Sequence, residues 1–183
     1  MDIEIITALL IRYDSTFPED SNITSEFITY LENVREESFL KKSDKHLTIT
    51  CKILDLEIQH ELLVKHRKLN QWVSPGGHIE AMDVDLYAAV TREVREETGI
   101  EDMHFLTSQI WKLEKHGIRE IIASSSCSFH LDVRFVAQVD YDQSVVLSSE
   151  SVAWHWREIP PQERILIAAR LAKIQHYNTF SST

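Results

Sequence analysis

Ser74-Pro75-Gly76-Gly77-His78-Ile79-Glu80, followed by Arg92-Glu93-Val94-Arg95-Glu96-Glu97-Thr98-Gly99-Ile100, constrains this chain more than any other stretch. Glycine is scarce, and Gly76, Gly77 and Gly99 are three of only four in the chain, so backbone freedom is concentrated here. Pro75-Gly76-Gly77 follows an apolar segment and signals a turn, one in which backbone groups can approach a ligand without side-chain obstruction. A helix is predicted over roughly 84–98, with Val90 and Val94 turned toward a core and Gly99 at its left-handed end.

At 3.6 residues per turn, Glu93, Glu96 and Glu97 fall within an arc of about 100°. Three like charges so close repel one another. A solvated acidic helix face is the usual meaning of such a cluster. Combined with the glycine loop and Gly99, a cation among the carboxylates becomes the better explanation, since magnesium and manganese prefer oxygen ligands and leave positions for phosphate oxygens.

The whole segment resembles the signature of the Nudix hydrolase family: a glycine, a short loop, an acidic residue, then Arg-Glu-x-x-Glu-Glu-x-Gly closed by an aliphatic residue. The matching positions are Gly77, Asp83 or Asp85, Arg92, Glu93, Val94, Glu96, Glu97, Gly99 and Ile100. Two departures stand out. Arg92 lies fifteen positions after Gly77, one more than the pattern, and the loop glutamate is replaced: counting forward gives Asp83, counting back gives Val84. Outside the box, His66–Trp72, the strand His46–Thr48 and the strand His130–Asp132 are similar to a bacterial group of these proteins.

The resemblance implies an α/β (α+β) fold, a Nudix-like α/β/α sandwich with a mixed sheet and an N-terminal helical extension. Residues 1–45 are expected as a helical segment packed on a hydrolase domain of 46–183. It further implies metal-dependent hydrolysis of a phosphoanhydride bond in a nucleoside diphosphate linked to another moiety. Glu93, Glu96 and Glu97, with the Gly76 carbonyl, would bind Mg²⁺ or Mn²⁺, and the cation would acidify a water molecule. Arg92 would orient a glutamate through a bidentate pair. Glu150 and Glu114 are loop candidates for the base, each also readable as a surface charge.

Other features are more ordinary. The run Lys65–Lys68 reads as a solvated turn, His78 as structural, and Trp154 and Trp156 as sheet packing rather than base stacking. Cys51 and Cys127 share no ligand spacing and fit a reduced, cytoplasmic protein; no activating neighbour for Cys127 is visible.

Elsewhere, helices are expected at 2–13 and about 21–37, the latter capped by Ser21 or Asn22. A polar connector follows at Leu40–Lys45. Strands are expected from His46, at Glu61–Val64, at 102–111, at 126–138 and near 152–157, before a last helix after Pro160 and Pro161. A net charge of −10 disfavours general nucleic-acid binding, and no apolar run spans a bilayer. The resemblance implies a nucleotide-type small molecule as the partner, and the N-terminal helices would serve as a lid or a homodimer contact.

The alternative from another class is a Nudix-fold module that binds a nucleotide without hydrolysing it. The retained glutamates favour the enzyme. An isoprenoid diphosphate isomerase lacks its cysteine context here, and messenger-RNA decapping is disfavoured by the acidity and the lack of a basic tail.

Overall fold

The computed structural model describes residues 1–34, 44–117 and 127–180. Helix α1 (Ile3–Thr16) starts at Asp2, whose carboxylate accepts the Glu4 amide at 2.8 Å. A 3-10 turn, Pro18–Asp20, leads directly into α2 (Ser21–Asn33). Asp20 is the residue before α2, so Ser21 and Asn22 lie inside the helix instead of capping it; the Ser21 hydroxyl donates back to the Pro18 carbonyl at 2.8 Å. The connector expected at Leu40–Lys45 and the end of the helix expected to residue 37 lie largely outside the described residues.

Eight strands follow in a mixed sheet: β1 (Lys45–Asp55), β2 (His60–His66), β3 (Gln71–Val73), β4 (Gly76–His78), β5 (His104–Phe105), β6 (Lys112–Gly117), β7 (Phe129–Val139) and β8 (Ser151–Glu158). Between β4 and β5 runs α3 (Leu86–Thr98), and α4 (Pro161–Phe180) closes the described chain. β1 and β7 pair in parallel along their full length, while every other pairing is antiparallel. This is the expected α+β sandwich with a mixed sheet.

Register explains which face is the core. Leu47, Ile49, Cys51 and Ile53 of β1 lie beside Leu131, Val133, Phe135 and Ala137 of β7, and all are buried. The alternate positions carry a polar row: His46 beside His130, Thr48 beside Asp132, and Thr50 beside Arg134. The N-terminal helices share the core, with Ile6, Leu10, Tyr13, Phe17 and Phe27 in the same cluster as the strands. Among the described residues, no helix is long and apolar enough to cross a membrane.

The stretch expected as a strand over 102–111 departs from that reading. Only His104–Phe105 pairs, because the Thr107 hydroxyl captures the Gln109 amide at 3.0 Å and turns the chain out of the ladder. The ladder resumes in β6, which sequence reading missed: Leu113 is its one fully buried apolar side chain, and Glu114 is stabilised by ion pairs to Lys112 and Arg134 instead of by apolar alternation.

Candidate active site

The turn at Pro75 places β4 against β1, with Gly76 opposite Thr50 and Gly77 opposite Ile49. Gly76 is required by contact with backbone, whereas a side chain at Gly77 would push aside the movable end of Glu93. At φ +155°, a Cβ on Gly76 would stand 2.2 Å from the Ile49 carbonyl oxygen, and one on Gly77 would stand 2.5 Å from a carboxylate oxygen of Glu93. The loop therefore brings backbone directly against the acidic helix.

Helix α3 is fixed at both ends. The Asp85 carboxylate accepts the Ala88 amide at 2.7 Å, and Gly99 takes the left-handed conformation at φ +70° and returns its amide to Arg95 at 2.8 Å. The two candidate replacements for the loop glutamate thus separate. Asp85 caps the helix, whereas Asp83, 4% exposed, grips Arg92 with both oxygens at 2.8 and 2.9 Å. Asp83 also accepts the Glu80 amide at 2.7 Å.

Arg92 does not form its bidentate pair with a glutamate, as sequence reading expected. Its fork is used on Asp83, one Nη donates to the His78 carbonyl at 2.9 Å, and the other reaches Glu93 at 3.0 Å and Glu96 at 3.2 Å. The hydrogen bonds Arg92 donates to Asp83 raise its pKa further above its ordinary value, so the cation is permanent. Burial works against ionised Asp83, but Arg92 and the Glu80 amide outweigh it and hold its pKa below the usual aspartate value.

The three glutamates occupy different environments. Glu96 is largely exposed, Glu93 is mostly covered, and Glu97 is 5% exposed with the Gly76 amide donating to it at 3.0 Å. Burial pushes the Glu97 carboxyl up to about 7, with Glu93 and Glu150 adding to it against the Gly76 hydrogen bond. Burial likewise raises Glu93, with Glu96 and Glu150 contributing. Glu150, on a separate loop, adds a negative charge that acts on both buried glutamates. Its carbonyl accepts the Arg67 amide at 2.8 Å, and the Arg67 guanidinium binds the Ser149 carbonyl at 2.9 Å, so the basic turn after β2 anchors the Glu150 loop.

The other nominated base, Glu114, lies in a strand and is neutralised by Arg134 at 2.8 Å and Lys112 at 2.5 Å; it is not a loop group. Arg134 itself was missed in the sequence. It donates to the Ser74 hydroxyl at 3.0 Å and the Thr50 hydroxyl at 3.1 Å, which puts a cation at the rim of the glycine loop. Trp156 stacks on Tyr141 at 5.2 Å and donates to its carbonyl at 3.0 Å, a packing role, while Trp72 stacks on His155 at 4.1 Å. Cys127 does have a polar neighbour, since its sulfur lies 3.5 Å from Nδ1 of His46. Cys51 is fully buried, and its thiol is pushed up to about 12.

The donor set suits a hard divalent cation in kind: Glu93 and Glu96 share one nitrogen of Arg92, and Glu97 is held on the Gly76 amide, although the three are not among the groups of described residues whose ligand atoms already lie within 4.8 Å of one another. Its absence carries a measurable cost. Because the folded-state pKa of Glu97 lies above its ordinary 4.5, the folded chain keeps that proton between about 4.5 and 7 while the unfolded chain releases it. Stability from this group falls as pH rises through that window. In chelator, Glu97→Gln is expected to be no more stable than the native chain near pH 4.5 and more stable by up to about 3 kcal/mol above pH 7. Urea unfolding of the two proteins across that range checks it; a difference that does not grow with pH refutes the strain.

The NUDIX domain sequence profile matches residues 44–175. Bis(5'-nucleosyl)-tetraphosphatase (asymmetrical) of Rattus norvegicus is 28% identical over 105 residues, covering 57% of this chain and 67% of that protein. The E. coli dihydroneopterin triphosphate pyrophosphohydrolase superposes with a TM-score of 0.50 at 18% identity, over 73% of this chain and 93% of that one. A C. elegans Ap4A hydrolase gives 0.50 at 21% identity, over 73% and 97%. A NUDIX-family hydrolase from Clostridium perfringens gives 0.51 at 19% identity, over 69% and 96%. The structural likenesses speak for the fold.

Proposed function

The chain belongs to the NUDIX family and is a phosphoanhydride hydrolase, and from that premise we propose that it acts, with Mg²⁺ or Mn²⁺, on a nucleoside diphosphate linked to another moiety. The observation that carries this reading is the seating of Glu97 under the Gly76 amide beside Glu93, with Arg92 locked to Asp83 alongside. Glu93, Glu96 and Glu97, assisted by the Gly76 carbonyl, hold the cation. It supplies neutralisation of the diphosphate and polarises the bond that breaks.

The chain's own groups do the rest. Arg92, held from behind by Asp83, keeps Glu93 and Glu96 aimed at the site. Arg134, at the Ser74 edge of the loop, meets phosphate oxygens of the substrate. A carboxylate takes the proton from the attacking water, and Glu150 is the candidate on a separate loop, its charge acting on Glu93 and Glu97. The helices α1 and α2 of segment 1–45 pack on a domain of 46–183, a division supported by a family match that begins at residue 44.

A substrate panel tests the reading. It contains a dinucleoside tetraphosphate, nucleoside triphosphates, oxidised nucleotides and nucleotide sugars, assayed with Mg²⁺, with Mn²⁺ and with chelator. Turnover of at least one that needs the cation is expected. Tight nucleotide binding without turnover on any of them would replace the enzyme by a binding module.

A further inference from the structure

A second cluster of ligating side chains lies at the opposite end of the polar strand row from Arg134. His46 is the second residue of β1, and its register partner His130 is the second of β7. Cys127, buried just before β7, places its sulfur 3.5 Å from Nδ1 of His46. One ligand atom from each of His46, Cys127 and His130 lies within 4.8 Å of the others. The far nitrogen of His46, Nε2, stands 3.0 Å from Nε2 of His78.

The geometry points to a site for a borderline divalent cation such as zinc, with Cys127 Sγ, His46 Nδ1 and a ring nitrogen of His130 as ligands and His78 behind them. The donors differ in kind from those of the hydrolase centre. Thiolate and imidazole favour zinc, whereas magnesium takes carboxylate and carbonyl oxygen. In a tetrahedral zinc site, bond lengths of about 2.0 Å to nitrogen and 2.3 Å to sulfur set the two ligand atoms roughly 3.6 Å apart, close to the observed 3.5 Å.

His78 fits the outer position. A ligating histidine ordinarily donates its second ring N–H to a fixed acceptor, which sets its tautomer. His46 can bind the ion through Nδ1 only if its proton is on Nε2, and that proton then points at His78. His130 completes the triad: its ring is 4.7 Å from that of His46, centroid to centroid, and its nitrogens have no hydrogen bond among the described residues. Binding releases the thiol proton of Cys127 to solvent and leaves a fourth position open for water. Such an ion would clamp the parallel strands β1 and β7 at their starts. Through His78 it would also brace β4, whose other end carries Gly76.

The probe is Zn²⁺ itself, offered to the full chain without a histidine tag, in competition with a chromogenic chelator. One zinc ion per chain is expected, with affinity kept in the Glu96→Gln, Glu97→Gln double variant, where the hydrolase centre is disabled. Cys127→Ala and His130→Ala should each weaken it at least about tenfold. In the native chain, Co²⁺ should give a thiolate-to-cobalt absorption band, a readout that needs no variant to fold. Absence of that band overturns the site. So does zinc affinity that falls with the glutamates but not with Cys127 and His130, because the ion then sits in the hydrolase centre.

Discussion

Glu97→Gln is expected to lower kcat/KM by about three orders of magnitude, on the order of 4 kcal/mol of transition-state stabilisation, on whichever substrate the native chain turns over. The substitution keeps shape and the contact with the Gly76 amide but removes a charge from the cation's ligand set. Glu96→Gln should act in the same direction with a smaller effect, because Glu96 is the most exposed of the three and shares its charge with Arg92 at 3.2 Å. Excess Mn²⁺ should recover part of the Glu96→Gln loss and little of the Glu97→Gln loss. Initial rates over a range of cation concentrations decide this. A Glu97→Gln enzyme within a fewfold of native would remove Glu97 from the centre and with it the proposed role of the Gly76–Glu97 contact. The same change is expected to stabilise the chain in chelator above pH 7, so activity and stability should move in opposite directions, as they do when a site holds like charges together for a ligand.

The second large effect is structural. Asp83→Ala removes both oxygens that hold Arg92, and each partner is well covered, with side-chain exposures of 3% and 14%. Breaking a pair of this kind costs about 3–5 kcal/mol when the remaining charge has no other partner. Arg92 retains Glu93, Glu96 and the His78 carbonyl, so a loss of about 2–3 kcal/mol in chemical denaturation is expected here. Asp85→Ala should cost nearer 1 kcal/mol, the ordinary value of a helix cap. Equal losses in the two variants would mean that Arg92 does not depend on Asp83. Turnover in Asp83→Ala should fall as well, through kcat more than KM, since Arg92 would no longer be held to aim Glu93.

How much of this was legible in the sequence differs from residue to residue. Gly76, Gly77, Glu93, Glu96, Glu97 and Gly99 announce themselves because their chemistry is local: a turn needs glycines, and a helix puts residues three and four apart on one face. The parallel pairing of β1 with β7 was not legible, since their partners lie 84 positions apart, as Thr48 and Asp132 do in their side-chain hydrogen bond. β6 was hidden because ion pairs, not apolar alternation, hold its outer residues. Asp83 and Asp85 could not be told apart by counting, because one extra residue makes the counts from Gly77 and from Arg92 disagree, and only the folded turn shows which one reaches Arg92.

The sequence alone therefore determined the acidic helix, the glycine loop before it and the family to which both belong. These rest on hydrogen bonds and contacts between near neighbours in the chain. Only the tertiary structure decided that Arg92 is locked to Asp83, that the Glu150 charge acts on Glu97, that Arg134 stands at the loop's rim, and that His46, Cys127 and His130 meet. The Arg92–Asp83 pair depends on how the loop before α3 folds back on that helix; the others depend on contacts between distant segments, set by strand register, and register is fixed by burial of one whole face of the sheet, a property that no single stretch of sequence contains.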